Sequence, residues 1–219
     1  MRRACLAIFA LSIAMYLPTL AQTTGFTLAE YNAPQYTAPR DAPSRVVIAS
    51  REEPGERLLV TGHTLEGTKP VAGVSLYVFH ADAKGLYATD GTDAWHAEFN
   101  PRLHASLRTD AQGRYQYETI RPGSYGAPPG PAHVHYVVKA SGYEPLLVAL
   151  QFEDDPIVVT MLRAGKPPLN PDAFKNGPCK SRPDCVLTQP VRRDAQGVSY
   201  VTRDIQMVKA LSLPHTVLR

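Results

Sequence analysis

The chain has 219 residues and a formal net charge of +3, with 44% hydrophobic and 20% charged residues. This composition is typical of a globular protein and excludes a disordered or collagen-like chain. The 20 prolines exceed the average share of about 5% and argue against an all-α fold. A charge so close to balance gives no electrostatic reason to expect a nucleic-acid partner.

Residues 1–21 have the features of a secretory signal peptide. Arg2 and Arg3 precede an apolar run that ends before Pro18, and small residues precede Gln22 as signal peptidase requires. The run is shorter than the roughly 20 residues that a transmembrane helix needs. We therefore expect an exported protein, periplasmic or secreted, that has no membrane contact after signal cleavage.

Residues 22–56 predict an extended, proline-rich arm, because they show no sustained period of 2 or 3.6. From Arg57 onward, short β-rich runs alternate with turns, and no long amphipathic helical stretch occurs. We predict an all-β fold, a β-sandwich over residues 57–219. The arm is expected to wrap around this domain or around a partner. The predicted strands lie near 58–60, 74–80, 105–109, 115–120, 133–140, 146–152, 157–162 and 198–211.

Cys179 and Cys185 are the two cysteines that remain after removal of the signal. In an exported protein such a pair is expected to form a disulfide. The alternative is a pair of zinc thiolates, but no second Cys or His pair lies at the spacing of a zinc finger. We therefore expect a disulfide that fixes a proline-rich loop.

The strongest local signal for chemistry is the sequence His133-Val134-His135. In a strand, residues i and i+2 project from the same face, so both imidazoles would point to one place. Such a pair alone is weak, since strands also place histidines on solvated faces. Two tyrosines strengthen the signal, because Tyr125 lies in a rigid loop just upstream and Tyr87 follows another predicted strand.

These residues resemble the intradiol ring-cleavage dioxygenases, the family of catechol 1,2-dioxygenase and protocatechuate 3,4-dioxygenase. The resemblance rests on the order Tyr, Tyr, His-x-His and covers about residues 57–211. It implies the transthyretin-like β-sandwich of that family. The segments that carry it are 70–74, 82–87, 109–115, 119–125 and 131–135.

By position, the resemblance implies that Tyr87, Tyr125, His133 and His135 bind a mononuclear non-haem Fe(III). Phenolate is a hard anionic donor that favours ferric over ferrous iron, and two imidazoles complete the set. The implied substrates are a small-molecule catechol and O2, and the implied product is a muconate-type acid. Tyr125 would also be catalytic, because it would leave the iron when the catechol binds and take one of the catechol protons.

Two positions depart from the family pattern. Gly130 stands three residues before His133, where well-studied members carry an arginine, and Ala149 stands where they carry a glutamine. Because a cation that stabilises developing charge is missing, we expect slow or selective activity on simple catechols. Three arginines could supply the charge from another direction: Arg102, Arg108 and Arg121.

Two alternatives remain open. Residues 70–74 and 109–125 also resemble non-catalytic transthyretin-like binding modules, which need neither Tyr87 nor the His-x-His pair. An iron-retaining catecholate-binding protein without ring cleavage is the second alternative. The oligomeric state is open as well, a homo-oligomer included. The remaining histidines match no motif, although His80 and His96 flank Tyr87 in the sequence: His63, His80, His96, His104 and His215.

Overall fold

A computed structural model describes residues 31–88, 101–125, 130–166 and 185–211. Its strands are β1 (Arg45–Val47), β2 (Arg57–Glu66), β3 (Lys69–Pro70), β4 (Ser75–His80), β5 (Leu103–Arg108), β6 (Arg114–Ile120), β7 (His133–Lys139), β8 (Leu146–Phe152), β9 (Val186–Gln189), β10 (Arg192–Arg193), β11 (Ser199–Thr202) and β12 (Ile205–Gln206). One helix, α1 (Pro156–Arg163), follows β8, and a short 3-10 turn (Pro34–Tyr36) lies in the arm.

The strands form two sheets, which confirms the predicted all-β sandwich. The seven-stranded sheet has the order β1-β6-β2-β11-β10, with β3 and β12 also paired to β2. The five-stranded sheet has the order β5-β4-β7-β8-β9. Every second residue of β2 is buried through most of its length, because one face of its sheet covers the core and the other faces outward.

The five-stranded sheet is buried on both faces, so β4 and β8 are buried at every position. The side of β7 that carries Val134 and Tyr136 packs into the core between the sheets. Alternation then places His133 and His135 on the outer face, where Val137 belongs to a separate cluster. The predicted metal ligands of β7 therefore lie outside the main core.

The arm covers this outer face. Its Tyr31 packs against Phe79 and its Tyr36 against Tyr77, with ring centroids 5.5 and 5.1 Å apart. Lys139 Nζ donates to the Tyr31 carbonyl at 2.8 Å. Further along, β1 pairs in parallel with β6 at the edge of the other sheet. The described part of the arm thus contacts both sheets.

Residues 157–162 form a helix, so the predicted strand was wrong. The Asp155 carboxylate accepts hydrogen bonds from the backbone amides of Ile157 and Val158, at 2.8 and 3.2 Å, and Pro156 occupies the first helical position. Such a cap and a proline at this position both favour a helix start. These signals outweigh the β-propensity of the sequence Ile-Val-Val-Thr.

The last predicted strand, 198–211, was too long. Two short strands, β11 and β12, occupy it, and both pair in parallel with β2. Arg203 lies between them and is buried, and its backbone amide donates to the Thr61 carbonyl at 2.8 Å. The chain therefore remains beside β2 but does not form one continuous strand.

Several predictions concern residues outside the described ranges, namely the signal peptide 1–21, the first part of the arm, His96, Cys179 and His215. Cys185 is disulfide-bonded, as expected for one member of the predicted pair. Within the described ranges, no helix is long and apolar enough to cross a membrane.

Candidate metal centre

The four side chains predicted as ligands converge on the outer face of the five-stranded sheet. β7 brings the Nε2 atoms of His133 and His135 to within 2.9 Å of each other. The Tyr125 hydroxyl lies 2.8 Å from His133 Nε2 and 3.4 Å from His135 Nε2. The Tyr87 hydroxyl lies 3.0 Å from that of Tyr125. We call these four residues the centre.

The spacing of the four donor atoms suits a shared metal ion. Two atoms that each lie about 2.0–2.1 Å from an ion, at about 90–110° to one another, are separated by about 2.9–3.4 Å. Two bare imidazole nitrogens repel each other at 2.9 Å unless a proton or a cation lies between them. Within the described residues no group of three or more His, Cys, Asp or Glu side chains could hold a metal, so this centre depends on its tyrosines.

Both imidazoles are held in the neutral form that a metal ligand requires. The Nδ1–H of His133 donates to the Pro131 carbonyl at 2.7 Å, which leaves the Nε2 lone pair directed into the centre. Burial lowers the pKa of His133, and burial, with smaller effects of His133 and His80, lowers the pKa of His135 further. The phenyl ring of Phe79 stacks on His135 and fixes its orientation.

Asp82 organises the loop that carries Tyr87. Its Oδ1 accepts hydrogen bonds from the backbone amides of Lys84 and Leu86, at 2.8 and 2.9 Å. The backbone amide of Arg102 donates to the Tyr87 carbonyl at 2.9 Å. Tyr87 is only 2% exposed. Local hydrogen bonds and burial therefore leave this phenol little freedom to move.

The three arginines considered as sources of the missing charge are bound to other partners. Arg102 makes two contacts of 2.6 Å with the Glu53 carboxylate. Arg121 contacts Asp154 in the same two-point manner, at 3.0 and 2.6 Å. Arg108 donates to three backbone carbonyls, two of them in the arm. These contacts give no support to the expectation that one of the three serves the centre.

The described residues leave space around Gly130, beside Tyr125. Its backbone amide donates to the Tyr125 carbonyl at 2.9 Å. Among the atoms of the described residues, a Cβ atom at Gly130 would meet only that carbonyl oxygen, at 4.0 Å. The position that lacks the family's arginine is thus not filled by another described group.

Gln151 is a residue near the centre that the sequence analysis missed. The register of β7 and β8 places it opposite His133, while Ala149 lies opposite His135. Directly paired residues project from the same face, so this buried amide lies beside the centre. The Thr188 hydroxyl is 3.5 Å from Gln151 Oε1. Extending the His-x-His alternation across the neighbouring strand could have indicated Gln151.

The other described histidines do not join the centre. His80 is buried on the core side of β4, where its Nδ1–H donates to the Ala81 carbonyl and its Nε2 accepts from the Thr119 hydroxyl, both at 2.7 Å. Burial lowers its pKa to about 4. His63 lies 3.2 Å from Asp204 at the surface, and His104 Nδ1 bonds to a backbone carbonyl.

A comparison with known protein families assigns this sandwich to one of them. A family model described as Dioxygenase matches residues 31–182. The chain belongs to the intradiol dioxygenase family.

Two relatives show the extent of the likeness. The chain is 36% identical over 120 residues to the protocatechuate 3,4-dioxygenase beta chain of Burkholderia cepacia, which covers 51% of each chain. It is 29% identical over 134 residues to catechol 1,2-dioxygenase 1 of Acinetobacter lwoffii, which covers 54% of this chain and 42% of the relative. The chain therefore spans about half the length, or less, of these relatives.

A solved structure shows the same fold. It is the dioxygenase domain of a dioxygenase carbohydrate-binding protein fusion from Streptomyces sp. SirexAA-E. The match has a TM-score of 0.55 and 24% identity, and it covers 81% of this chain and 96% of that domain.

Proposed function

We propose that this chain is an exported intradiol dioxygenase in which Tyr87, Tyr125, His133 and His135 hold a mononuclear non-haem Fe(III). The observation that carries the proposal is the convergence of two phenol oxygens and two imidazole nitrogens, with the distances between them given above. Family membership and the activities in the names of the two relatives support a catechol and O2 as substrates.

The donor set fits ferric iron better than zinc. Two phenolates supply hard, anionic oxygen donors, and two neutral imidazoles add nitrogen donors without further charge. A thiolate zinc site would need free cysteines, but Cys185 is disulfide-bonded. When bound, the ferric ion would hold both catechol oxygens and activate the aromatic ring toward O2.

The two tyrosines have different roles in this proposal. Tyr87 is 2% exposed and stays in place as a permanent donor. Tyr125 is only half-buried. Tyr125, the more exposed of the two phenols, would be the one whose oxygen takes a proton from a bound catechol. Gln151, beside His133, offers an uncharged amide to an oxygen of the substrate.

The overall reaction adds both atoms of O2 to the catechol. The bond between the two oxygenated carbons breaks, and each of these carbons becomes a carboxyl carbon of a muconate-type product. Atoms and electrons balance without another reductant or oxidant. The chain's own side chains bind and orient the substrate and hold the proton that Tyr125 removes.

Metal analysis and a visible spectrum of protein purified without added iron test the proposal. We expect about one iron per chain and a phenolate-to-iron charge-transfer band. His133→Ala and His135→Ala should lose both, whereas the control His63→Ala, altered at the exposed histidine near Asp204, should keep both. Zinc in the wild type, or no metal after reconstitution with iron, would overturn the assignment.

A second candidate is an iron-retaining protein that binds catecholates without opening the ring. Position 130 is glycine instead of the family's arginine, and position 149 is alanine instead of its glutamine. Both replacements favour this second candidate. Oxygen uptake with a panel of catechols separates the two candidates. A catechol that shifts the charge-transfer band without oxygen uptake supports binding alone, and stoichiometric uptake with a dicarboxylate product supports the dioxygenase.

Export is supported by the sequence of residues 1–21. Its test is the N-terminal sequence of protein recovered from the periplasm or the medium. We expect it to begin at Gln22, and full-length protein confined to the cytoplasm would contradict this part of the proposal.

A further inference from the structure

The backbones of the two loops that carry the tyrosines are joined at a single carbonyl group. The Asp82 carbonyl accepts a hydrogen bond from the amide of Gly85 in its own loop at 3.0 Å. The same carbonyl accepts the amide of Gly123, in the loop of Tyr125, at 2.8 Å. One acceptor therefore connects the loop of Tyr87 to the loop of Tyr125.

Two glycines let these backbones approach each other. A Cβ atom at Gly85 would lie inside 3.0 Å of the Ser124 carbonyl oxygen. A Cβ atom at Gly123 would lie inside 3.0 Å of the Ala83 carbonyl oxygen and of the Gly85 amide nitrogen. Gly85 also has a φ of 83°, which favours glycine. Because the opposing atoms belong to the backbone, they cannot move aside as the end of a side chain can.

We infer that Gly85, Gly123 and Asp82 form a lock that sets the separation of the Tyr87 and Tyr125 hydroxyls. They are positioning residues, since none of them is one of the four donors of the centre and each would act through Tyr87 or Tyr125. Each tyrosine follows its glycine by two residues, so a shift where the loops meet is passed to both phenols. The inference rests on the proposed iron function, because ligands must be held within about 0.5 Å of their working geometry.

The Asp82 side chain strengthens the lock from within the first loop. Its Oδ1 holds the amides of Lys84 and Leu86, and its Oδ2 lies 3.9 Å from the Arg102 guanidinium. Asparagine keeps an acceptor oxygen at this position, but alanine does not. Asp82→Asn therefore removes the charge but keeps an acceptor for the loop amides, whereas Asp82→Ala removes both.

The glycine test uses a matched control. Gly142 has a φ of 79°, close to that of Gly85, but nothing lies within 4 Å of a Cβ built there. Gly142→Ala thus reproduces the backbone strain of Gly85→Ala without contact between loops. We expect Gly85→Ala and Gly123→Ala to lose iron to a competing chelator at least tenfold more readily and to shift the charge-transfer band. Gly142→Ala should melt lower, as Gly85→Ala does, but keep the wild-type band.

Two substitutions of Asp82 keep the inference testable if a glycine variant fails to fold. Asp82→Asn should retain iron and its band, and Asp82→Ala should lose them while its circular dichroism stays that of a folded sandwich. Wild-type bands in Gly85→Ala, Gly123→Ala and Asp82→Ala would overturn the lock and leave the iron assignment intact.

A readout without metal distinguishes failure of the lock from failure of the proposed function. In metal-free protein, the Gly123 amide should exchange its hydrogen at least tenfold faster in Gly85→Ala than in the wild type or Gly142→Ala. Unchanged exchange would overturn the lock. A wild type that binds no iron but shows this difference would overturn the iron function and retain the coupling of the loops.

Discussion

The imidazole of His135 stacks on the phenyl ring of Phe79, with 4.8 Å between ring centroids and 19° between ring planes. On the arm side, the ring of Tyr31 lies 5.5 Å from that of Phe79. Phe79 therefore packs between His135 of the centre and Tyr31 of the arm. Packing of the arm is thus coupled to the orientation of His135.

Phe79→Leu tests this coupling. The substitution should cost about 1–2 kcal/mol of folding free energy, and it should weaken iron retention about tenfold because His135 loses its stacking partner. Tyr77→Leu is the matched control, since Tyr77 packs on Tyr36 of the arm on the same face of the sheet. Thermal melting and chelator competition measure the two effects. Equal iron loss in both variants would contradict a specific role of the stack.

The buried His80 should make folding sensitive to acid. Its pKa is about 4 in the folded protein, lowered by burial from 6.5, so the unfolded chain binds more protons between these two values. Stability from this group is complete above pH 6.5 and is lost as the pH falls toward 4. At pH 4.5 the loss is about 2–3 kcal/mol.

Urea unfolding at pH 7.5 and 4.5, with the wild type and His80→Gln, checks this expectation. The charged groups near His80 are Glu53, Asp82 and Arg102, and they are present in both proteins. The variant should therefore be less stable at pH 7.5 but lose less stability on acidification. Parallel pH profiles would show that His80 does not control the acid response.

Gly130 should limit activity on simple catechols. A preorganised cation facing charge that develops in the transition state is worth about 3 kcal/mol, or about a hundredfold in rate, and glycine supplies none. We expect slow turnover of catechol and protocatechuate, and better turnover of a catechol whose bulky substituent fills the open space at Gly130. Oxygen uptake by the wild type and Gly130→Arg measures this. Fast wild-type turnover of plain catechol would disprove it.

Gln151 should contribute to turnover rather than to iron binding. Gln151→Leu keeps a similar volume but removes the amide opposite His133, so we expect kcat to fall about tenfold to a hundredfold while iron content stays constant. Gln116→Leu, on the other sheet, is the control and should change neither. Loss of iron in Gln151→Leu would indicate a structural role for the amide.

The fold class and the four residues of the centre could be predicted because each depends on a local sequence pattern or on the order of residues along the chain. Alternation in β7 directs His133 and His135 to one side, and the spacing of Tyr87 and Tyr125 matches a known family. The helix at Pro156–Arg163 could not be predicted from propensity alone, because a β-branched run was offset by the cap that Asp155 provides.

Contacts between distant segments escaped the sequence analysis for a different reason. Gln151 becomes a neighbour of His133 only through the register of β7 and β8. Gly85 meets Ser124 only because two loops cross in space. No periodicity or residue spacing in the sequence indicates either of these contacts. The partners of Arg102 and Arg121 likewise depend on tertiary folding, so their expected role at the centre could not be tested from sequence.

Several contacts of the folded protein join a segment that is synthesised early to one that is synthesised much later. Tyr31 leaves the ribosome early, but its hydrogen-bond partner Lys139 is made 108 residues later. β2 lies between β6 and β11, and β11 belongs to the last described segment. Non-local pairing of this kind folds slowly. The two sheets can therefore form completely only after nearly all of the described chain has been synthesised. For a chain exported as we propose, this delay is compatible with translocation as an unfolded polypeptide.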